Sequence, residues 1–128
     1  MNHLQVVQTA NAPAAIGPYV QAMKVGELIF TSGQLPLTPD GTMIEGGMGV
    51  QTRQVIKNLQ AVAEASGVTL AHTVKATVFL KDLNQFAEYN AVFEEMFAGH
   101  KPARSSVEVA RLPKDALIEI ELILHSRA

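Results

Sequence analysis

The stretch PARSSVEVARLPKDALIEIELIL, residues 102–124, predicts two strands joined by a turn at residues 112–115. Side chains alternate between the two faces of a strand, so residues 117–124 present one wholly apolar face and one face that carries Glu119 and Glu121. Burying a carboxylate among apolar neighbours is costly, which makes Glu119 a candidate functional residue. The apolar face consists of Ile118, Ile120, Leu122 and Leu124, and the mixed face also contains Leu117 and Ile123.

Two amphipathic helices precede this stretch. Apolar residues at three- and four-residue spacing predict a first helix over residues 50–66, which Gly67 ends. Asp82 or Asn84 can cap a second helix, which Gly99 ends. The first apolar stripe is Val55, Leu59, Val62 and Ala63, and the second stripe contains Phe86, Tyr89, Asn90, Phe93 and Phe97.

The order of the elements predicts an α+β fold with a mixed sheet. The strand-like segments are residues 4–8, 19–25, 28–32, 74–80, 105–109 and 117–124, with a hairpin turn at Gly26-Glu27. Two helices can cover only one face of such a sheet, so an apolar sheet face is left uncovered in a monomer. Exposed patches of that size usually mark an interface. A symmetric homo-oligomer that packs sheet against sheet would bury this face.

Composition limits the class of protein. With 128 residues, 48% of them hydrophobic, the chain is expected to form a single domain, residues 1–128, with a real core. A net charge of -2 lacks the basic footprint of nucleic-acid binding. The absence of cysteine excludes disulfides and thiolate chemistry. Because no apolar run reaches spanning length, we expect a cytoplasmic protein without membrane contact.

Glycine and histidine patterns predict neither a metal site nor an organic cofactor. The glycine-rich residues 46–49 lack the lysine of a phosphate-binding loop and follow no convincing strand, so a flexible turn is expected there. The histidines have no spacing that would bring two of them to one metal ion. They are His3, His72, His100 and His125.

Several polar residues have both a structural and a functional interpretation. On spacing alone, Arg104 either binds an anion or forms a structural ion pair with Glu119 or Glu121. Ser32 has no histidine or aspartate partner nearby in sequence, which argues against a hydrolase triad. The structural interpretations of the other candidates are a rim aromatic for Tyr19, turn residues for Ser32 and Gly33, and a buried hydrogen-bonding residue for Asn90.

Four blocks of sequence resemble the reactive-intermediate (enamine/imine) deaminase family, often called the Rid (YjgF-like) family. They are NAPAAIGPYVQ (residues 11–21), FTSGQLP (30–36), VFLKDLNQFAEYN (78–90) and PARSSVEVARLPKDALIEIE (102–121). The resemblance covers residues 11–124 in the family's order and spacing. It implies a chorismate-mutase-like α+β fold, a homotrimer whose sheets form a central barrel, and clefts between subunits that bind 2-oxo or 2-imino acids.

The resemblance also implies roles for individual residues. The family's carboxylate-binding arginine falls on Arg104, and its acid/base or water-orienting glutamate falls on Glu119. Ser106 stands where close relatives often have cysteine, and its hydroxyl can still donate a hydrogen bond to a ligand. The remaining matched positions are the cleft residue Tyr19, the small pair Ser32 and Gly33, and Asn90 near the cleft.

These roles fit the hydrolysis of reactive imines such as 2-iminobutanoate and 2-iminopropanoate. A guanidinium can hold the substrate carboxylate by two parallel hydrogen bonds and so orient the C=N carbon. Glu119 would orient the attacking water and transfer a proton, with its pKa moved toward neutrality by apolar surroundings. The expected products are a 2-oxo acid and ammonia. Pyridoxal-phosphate-dependent dehydratases are the expected source of substrate, and no cofactor is required.

Two other functions stay open at this point. A non-catalytic trimer could use the cleft to bind 2-oxo acids, or could hold client proteins in a chaperone-like role. Some relatives are described as ribonucleases, and residues 101–114 contain several basic side chains. The acidic neighbours Glu108 and Asp115 and the lack of aromatic residues in that segment argue against RNA binding.

Overall fold

The computed structural model, which describes residues 3–127, contains a mixed sheet and two α-helices. Met1, Asn2 and Ala128, which belong to the predicted domain 1–128, lie outside the described residues. The strands are β1 (Leu4–Val7), β2 (Ala22–Val25), β3 (Leu28–Thr31), β4 (Thr73–Leu80), β5 (Ala103–Glu108) and β6 (Ile118–His125). The helices are α1 (Met48–Ala65) and α2 (Phe86–Phe97). The predicted α+β fold is confirmed.

The sheet places the most apolar strand in a central position. Its strand order is β1-β2-β3-β6-β4-β5. Neighbouring strands are antiparallel except for β4 and β5, which are parallel and joined through α2. Parallel neighbours require a long crossover of this kind. Because β6 has a partner strand on each side, its backbone is paired along most of its length. Alternate side chains of β6 are buried.

Both helices lie over one side of the sheet, called here the helix-covered face. The four β6 side chains on this face are at most 1% exposed, and they pack with α1 and α2 in one hydrophobic cluster. Full burial of an aliphatic side chain contributes about 1.5–3 kcal/mol, so this layer supplies much of the stability. In the described part of the chain, no helix has the length and apolar character needed to cross a membrane.

The other side of the sheet, called here the open face, carries no helix. Strand register puts Glu119 and Glu121 on it, together with a band of apolar side chains. Those side chains are Leu4, Val6, Val25, Leu28, Phe30 and Val107, each at least 37% exposed. The prediction of an uncovered apolar sheet face is therefore confirmed for the single chain.

Helix α1 begins earlier than the sequence predicts. It starts at Met48 rather than at residue 50, so the predicted flexible turn is wrong for Met48 and Gly49. The Met48 side chain is fully buried, and the Thr52 hydroxyl donates to the Met48 carbonyl. Burial of the methionine outweighs the low helix propensity of the adjacent glycine.

Other boundaries also shift, and two of these shifts concern candidate site residues. Strand β2 begins at Ala22 rather than at residue 19, which leaves Tyr19 in a loop. Strand β5 begins at Ala103 rather than at residue 105, which places Arg104 within the sheet. Asp82 caps a short 3-10 turn that leads into α2, so its predicted capping role acts one turn earlier.

The turn before β6 is strained. Lys114 and Asp115 have φ values of 57° and 56°, in the left-handed region that non-glycine residues rarely adopt. Each such residue costs on the order of 1–3 kcal/mol and persists only where its surroundings enforce it. Pro113 and Lys114 in this turn border the cleft that contains Glu119.

Candidate functional site

Arg104 and Glu119 lie on opposite faces of the sheet. In the register, Arg104 is paired with Ala76 of β4, which is buried on the helix-covered face. Glu119 is paired with Phe79 of β4, whose side chain points to the other face. Directly paired residues share a face, and alternation separates Ala76 from Phe79. The alternative of a structural ion pair between Arg104 and Glu119 or Glu121 of the same chain is therefore wrong.

The first group of site residues, called here the arginine half-site, consists of Arg104, Asn90, Phe86, Tyr89 and Phe93. The guanidinium carbon of Arg104 lies 5.4, 5.3 and 4.9 Å from the ring centroids of Phe86, Tyr89 and Phe93. A guanidinium nitrogen donates a 2.7 Å hydrogen bond to Oδ1 of Asn90. Cation–π contacts within about 6 Å are attractive, so α2 holds the end of the Arg104 side chain against β5.

Within residues 3–127, no carboxylate forms an ion pair with Arg104. A cleft of about 700 Å³ adjoins it, lined by Asn90, Pro102 and Lys101 among others. Glu94 also lines this cleft. A guanidinium has five N–H donors in a planar fork, and Asn90 accepts from only one of the nitrogens. The remaining donors suit a planar carboxylate from outside the chain.

Ser106 lies on the same face of β5 as Arg104, but its hydroxyl has a protein partner. Its Oγ lies 2.7 Å from the hydroxyl oxygen of Tyr89, which is fully buried. Burial raises the pKa of Tyr89 above the ordinary phenol value of 10.0. The sequence predicted Ser106 as a ligand contact; in the structure its visible bond is to Tyr89.

The second group, called here the glutamate half-site, consists of Tyr19, Ser32, Gly33 and Glu119. These residues line a cleft of about 540 Å³ that opens beside β6. Much of the remaining lining is apolar, from Pro13, Ile16, Leu35, Leu37 and Pro113. The structure thus brings four of the predicted site residues together and places Arg104, Asn90 and Ser106 elsewhere.

Gly33 fits against the carboxylate of Glu119. A Cβ atom added at Gly33 would lie 2.6 Å from Oε2 of Glu119 and 2.9 Å from its carboxyl carbon. The next residue, Gln34, exchanges two backbone hydrogen bonds with Ile120, of 2.9 and 3.3 Å. These bonds fix the loop after β3 directly beside β6, and only a hydrogen atom at position 33 leaves room for the carboxylate.

The environment of Glu119 favours its protonated form. Burial is the main cause that raises the pKa of Glu119 above the ordinary value of 4.5, and the nearby charge of Glu121 raises it further. Both effects disfavour the carboxylate, burial through desolvation and Glu121 through like-charge repulsion. A carboxyl group with its pKa moved toward neutrality is suited to proton transfer.

A buried glutamine shapes the loop that carries Tyr19, and the sequence analysis missed it. The Gln21 side chain accepts from the Thr9 backbone nitrogen at 2.7 Å and donates to the carbonyls of Ala12 and Pro13 at 3.3 and 2.7 Å. The Ser32 hydroxyl donates to the Val20 carbonyl at 2.6 Å. The only available sequence signal was the position of Gln21 at the end of the 11–21 block.

The described residues offer little for a metal ion. Within residues 3–127, no three histidine, aspartate or glutamate side chains are grouped closely enough to hold one. The polar groups of the two half-sites are guanidinium, carboxyl, amide, hydroxyl and backbone groups.

Comparison with known proteins identifies the family. A family model described as Endoribonuclease L-PSP matches residues 9–126, nearly the whole chain. The chain belongs to the Rid (YjgF-like) family. Over 122 residues it is 51% identical to the 2-iminobutanoate/2-iminopropanoate deaminase of Escherichia coli K12, covering 93% of this chain and 95% of that protein.

Solved structures of Rid relatives have the same fold. The structure of the E. coli YjgF gene product is 50% identical, has a TM-score of 0.92, and covers 96% of this chain and 99% of that one. The structure of E. coli TdcF with bound serine is 43% identical, has a TM-score of 0.90, and covers 94% of this chain and 98% of that one. Rid relatives carry different functional names, so family membership alone is compatible with more than one activity.

Proposed function

We propose that the protein hydrolyses 2-iminobutanoate and 2-iminopropanoate to 2-oxo acids and ammonia. The observation that carries the proposal is the presence, on one chain, of two complementary half-sites on opposite faces of the sheet. One holds a guanidinium that has no ion-pair partner among residues 3–127, and the other holds a carboxyl group whose pKa is raised by burial. The similarity to an E. coli deaminase of this specificity supports the same conclusion.

The separation of the half-sites favours a site built between two copies of the chain. Arg104 lies near one edge of the sheet on the helix-covered face, whereas the cleft of Glu119 opens on the other side. A head-to-tail contact joins unlike surfaces and closes into a ring when the rotation permits. In the proposed homotrimer the sheets form a central barrel, which buries the open face and brings each arginine half-site to a neighbour's glutamate half-site.

In the proposed reaction Arg104 binds the substrate carboxylate through two hydrogen bonds, and Asn90 keeps the guanidinium in place. This grip orients the C=N carbon toward the glutamate half-site. Glu119 orients a water molecule, whose oxygen adds to that carbon while the imine nitrogen gains a proton. Collapse of the resulting carbinolamine breaks the C–N bond and releases ammonia and the 2-oxo acid. General acid–base assistance by Glu119 would contribute roughly 100- to 10,000-fold.

The proposed partners follow from the instability of the substrate. Pyridoxal-phosphate-dependent dehydratases release 2-aminoacrylate-like enamines, which become the 2-imino acids that this site would hydrolyse. We therefore place the protein beside such dehydratases in the cytoplasm, as a damage-control enzyme of amino-acid metabolism. The apolar lining near Glu119 suits the short aliphatic side chains of these imines.

A coupled assay tests the activity directly. Threonine dehydratase generates 2-iminobutanoate from threonine, and the release of 2-oxobutanoate is followed with and without this protein. We expect faster release with the protein present, and no acceleration would contradict the proposal. Binding of 2-oxobutanoate without acceleration would instead support the non-catalytic alternative. Cleavage of single-stranded RNA under the same conditions would support a ribonuclease.

Mixing two inactive variants tests the site between subunits. Arg104→Ala and Glu119→Gln chains are combined after subunit exchange, and the regained activity is measured. With random mixing in a ring, about a quarter of the interfaces should combine an intact arginine half-site with an intact glutamate half-site. Each variant mixed with itself is the control. Failure to regain activity, despite mixed oligomers seen by native mass spectrometry, would contradict a shared site.

A further inference from the structure

Tyr89 has an unusual place in the arginine half-site. Its side chain is fully buried, and its ring centroid is 5.3 Å from the guanidinium carbon of Arg104. The ring meets Phe86 and Phe93 edge to face, at 90° and 81°. Its hydroxyl group lies 2.7 Å from Oγ of Ser106. Tyr89 therefore touches Arg104 with its ring and β5 with its hydroxyl group.

We propose that Tyr89 is a positioning residue that sets the plane of the Arg104 guanidinium, and that Ser106 anchors Tyr89 instead of contacting substrate. The effect on turnover rests on the proposed deaminase function, whereas the effect on the guanidinium does not. Register supports the arrangement, because Arg104 and Ser106 pair with Ala76 and Val78 and so project from the same face of β5.

The physical reason is preorganisation of a planar group. The single hydrogen bond to Asn90 restrains one nitrogen of the guanidinium, so contacts to aromatic rings must restrain its plane. A fork held in one orientation loses less entropy when it binds a carboxylate. An ordinary phenol is already neutral at physiological pH, and burial raises the pKa of Tyr89 further, so its ring restrains the cation without cancelling the charge that attracts the ligand.

Four variants test the role of Tyr89 in ligand binding. Tyr89→Leu removes the ring, Tyr89→Phe removes only the hydroxyl, and Ser106→Ala removes the anchor. Phe97→Leu is the matched control, because Phe97 is buried on the same helix and stacks on Phe93 but is not one of the three rings that contact the Arg104 guanidinium. The readouts are KM and kcat for imine hydrolysis and the Kd of 2-oxobutanoate by calorimetry.

We expect Tyr89→Leu to raise KM and the Kd of 2-oxobutanoate about tenfold while kcat changes less than about threefold. The reason is that the ring orients the guanidinium that binds the ligand carboxylate. Tyr89→Phe and Ser106→Ala should each raise KM and the Kd of 2-oxobutanoate about two- to threefold. The double variant should raise them no further, because the two substitutions remove the same hydrogen bond. Phe97→Leu should lower the melting temperature without changing KM, kcat or the Kd of 2-oxobutanoate.

A ligand-free measurement keeps the positioning role separate from the proposed function. In ¹⁵N-labelled protein, rotation about the Nε–Cζ bond of Arg104 is followed by NMR, with Arg104→Lys used to assign the signal. We expect slow rotation in the wild type and in Phe97→Leu, and fast rotation in Tyr89→Leu.

Two results would overturn the inference. One is unchanged slow rotation in a folded Tyr89→Leu variant. The other is a tenfold loss of 2-oxobutanoate affinity in Ser106→Ala with none in Tyr89→Phe, because Ser106 would then contact the ligand directly. A wild type with slow Arg104 rotation but no imine hydrolysis would contradict the proposed function and leave the positioning role intact.

Discussion

The two half-sites differ in the elements that build them. The arginine half-site stands on regular structure, with Arg104 on β5 and its ring contacts on α2. The glutamate half-site has only Glu119 on a strand, and loops supply Tyr19, Ser32 and Gly33. Groups on helices and strands are held more rigidly than groups on loops. For the proposed 2-imino acid substrates, the difference predicts rigid binding of the common carboxylate and adaptable loops around the variable side chain.

The half-sites also treat charge in opposite ways. Aromatic rings and a neutral amide surround the cation and leave it charged, whereas burial and a second carboxylate disfavour the anion. A fixed cation suits binding, and a carboxyl group that exchanges its proton suits catalysis. Substitutions in the arginine half-site should therefore mainly lower affinity for the ligand, and substitutions in the glutamate half-site should mainly lower kcat.

Arg104→Ala should have the largest effect. Two charge-assisted hydrogen bonds contribute about 3–6 kcal/mol together, which corresponds to a loss of roughly 150- to 25,000-fold in kcat/KM. Arg104→Lys should be nearly as damaging, because it keeps the charge but loses the planar fork. Arg53→Ala, which removes an exposed ion pair with Glu95, is the control and should retain full activity. A fully active Arg104→Lys enzyme would reduce Arg104 to a general electrostatic role.

Glu119→Gln should lower kcat by roughly 100-fold or more, because the amide cannot exchange a proton as a carboxyl group does. Affinity for 2-oxobutanoate, measured by calorimetry, should stay within a few-fold of wild type. Glu121→Gln, on the same face of β6, is the matched control and should keep most of the rate. Equal losses in the two variants would mean that the proton-transfer residue is assigned wrongly.

Gly33→Ala should lower kcat by about tenfold, because the new methyl group occupies the space of the Glu119 carboxylate and displaces it. The melting temperature should change little, since the displaced atoms belong to the end of a flexible side chain. Gly49→Ala is the control, because an added Cβ there meets only ordinary contacts, and the nearest is 3.6 Å away. Wild-type kinetics in Gly33→Ala would show that the position of the carboxylate is unimportant.

Glu121→Gln should give the smallest effect, a shift in pH dependence. Removing the neighbouring charge lowers the pKa of Glu119 toward its ordinary value, although burial, the larger cause, remains. The limb of the pH–rate profile that Glu119 controls should therefore move to lower pH, with the maximal rate nearly unchanged. A shift to higher pH would contradict the assigned repulsion.

The same pair of carboxylates should affect stability. Between pH 4.5 and the raised pKa of Glu119, the folded chain holds a proton that the unfolded chain has lost. Stability therefore falls as pH rises through this interval. Thermal melts of wild type and Glu121→Gln across the interval should show a smaller fall in the variant.

Much of the fold could be predicted from local patterns. The alternation in residues 117–124 correctly gave a strand with one buried face, and the stripes in α1 and α2 gave the helices that cover it. The start of α1 could not be predicted, because the glycines around Met48 favour a turn and only the folded core supplies the compensating burial. The unusual φ values of Lys114 and Asp115 leave no local sequence signal either.

The candidate site was predictable as a set of residues but not as an arrangement. Whether Arg104 and Glu119 share a face depends on the register of β5 and of β6 against β4. A shift of one residue in either pairing would move one of them to the other face. Register follows from packing between distant segments, so no spacing within residues 102–124 could reveal that the two side chains are on opposite faces.

The glycine at position 33 is required by the site and not by the fold. Its backbone is outside the left-handed region, so many residues could occupy the position without backbone strain. What excludes them is the carboxylate of Glu119. In a library of variants selected only for expression and folding, position 33 should drift to alanine or serine. In a library selected for growth that depends on imine removal, it should stay glycine.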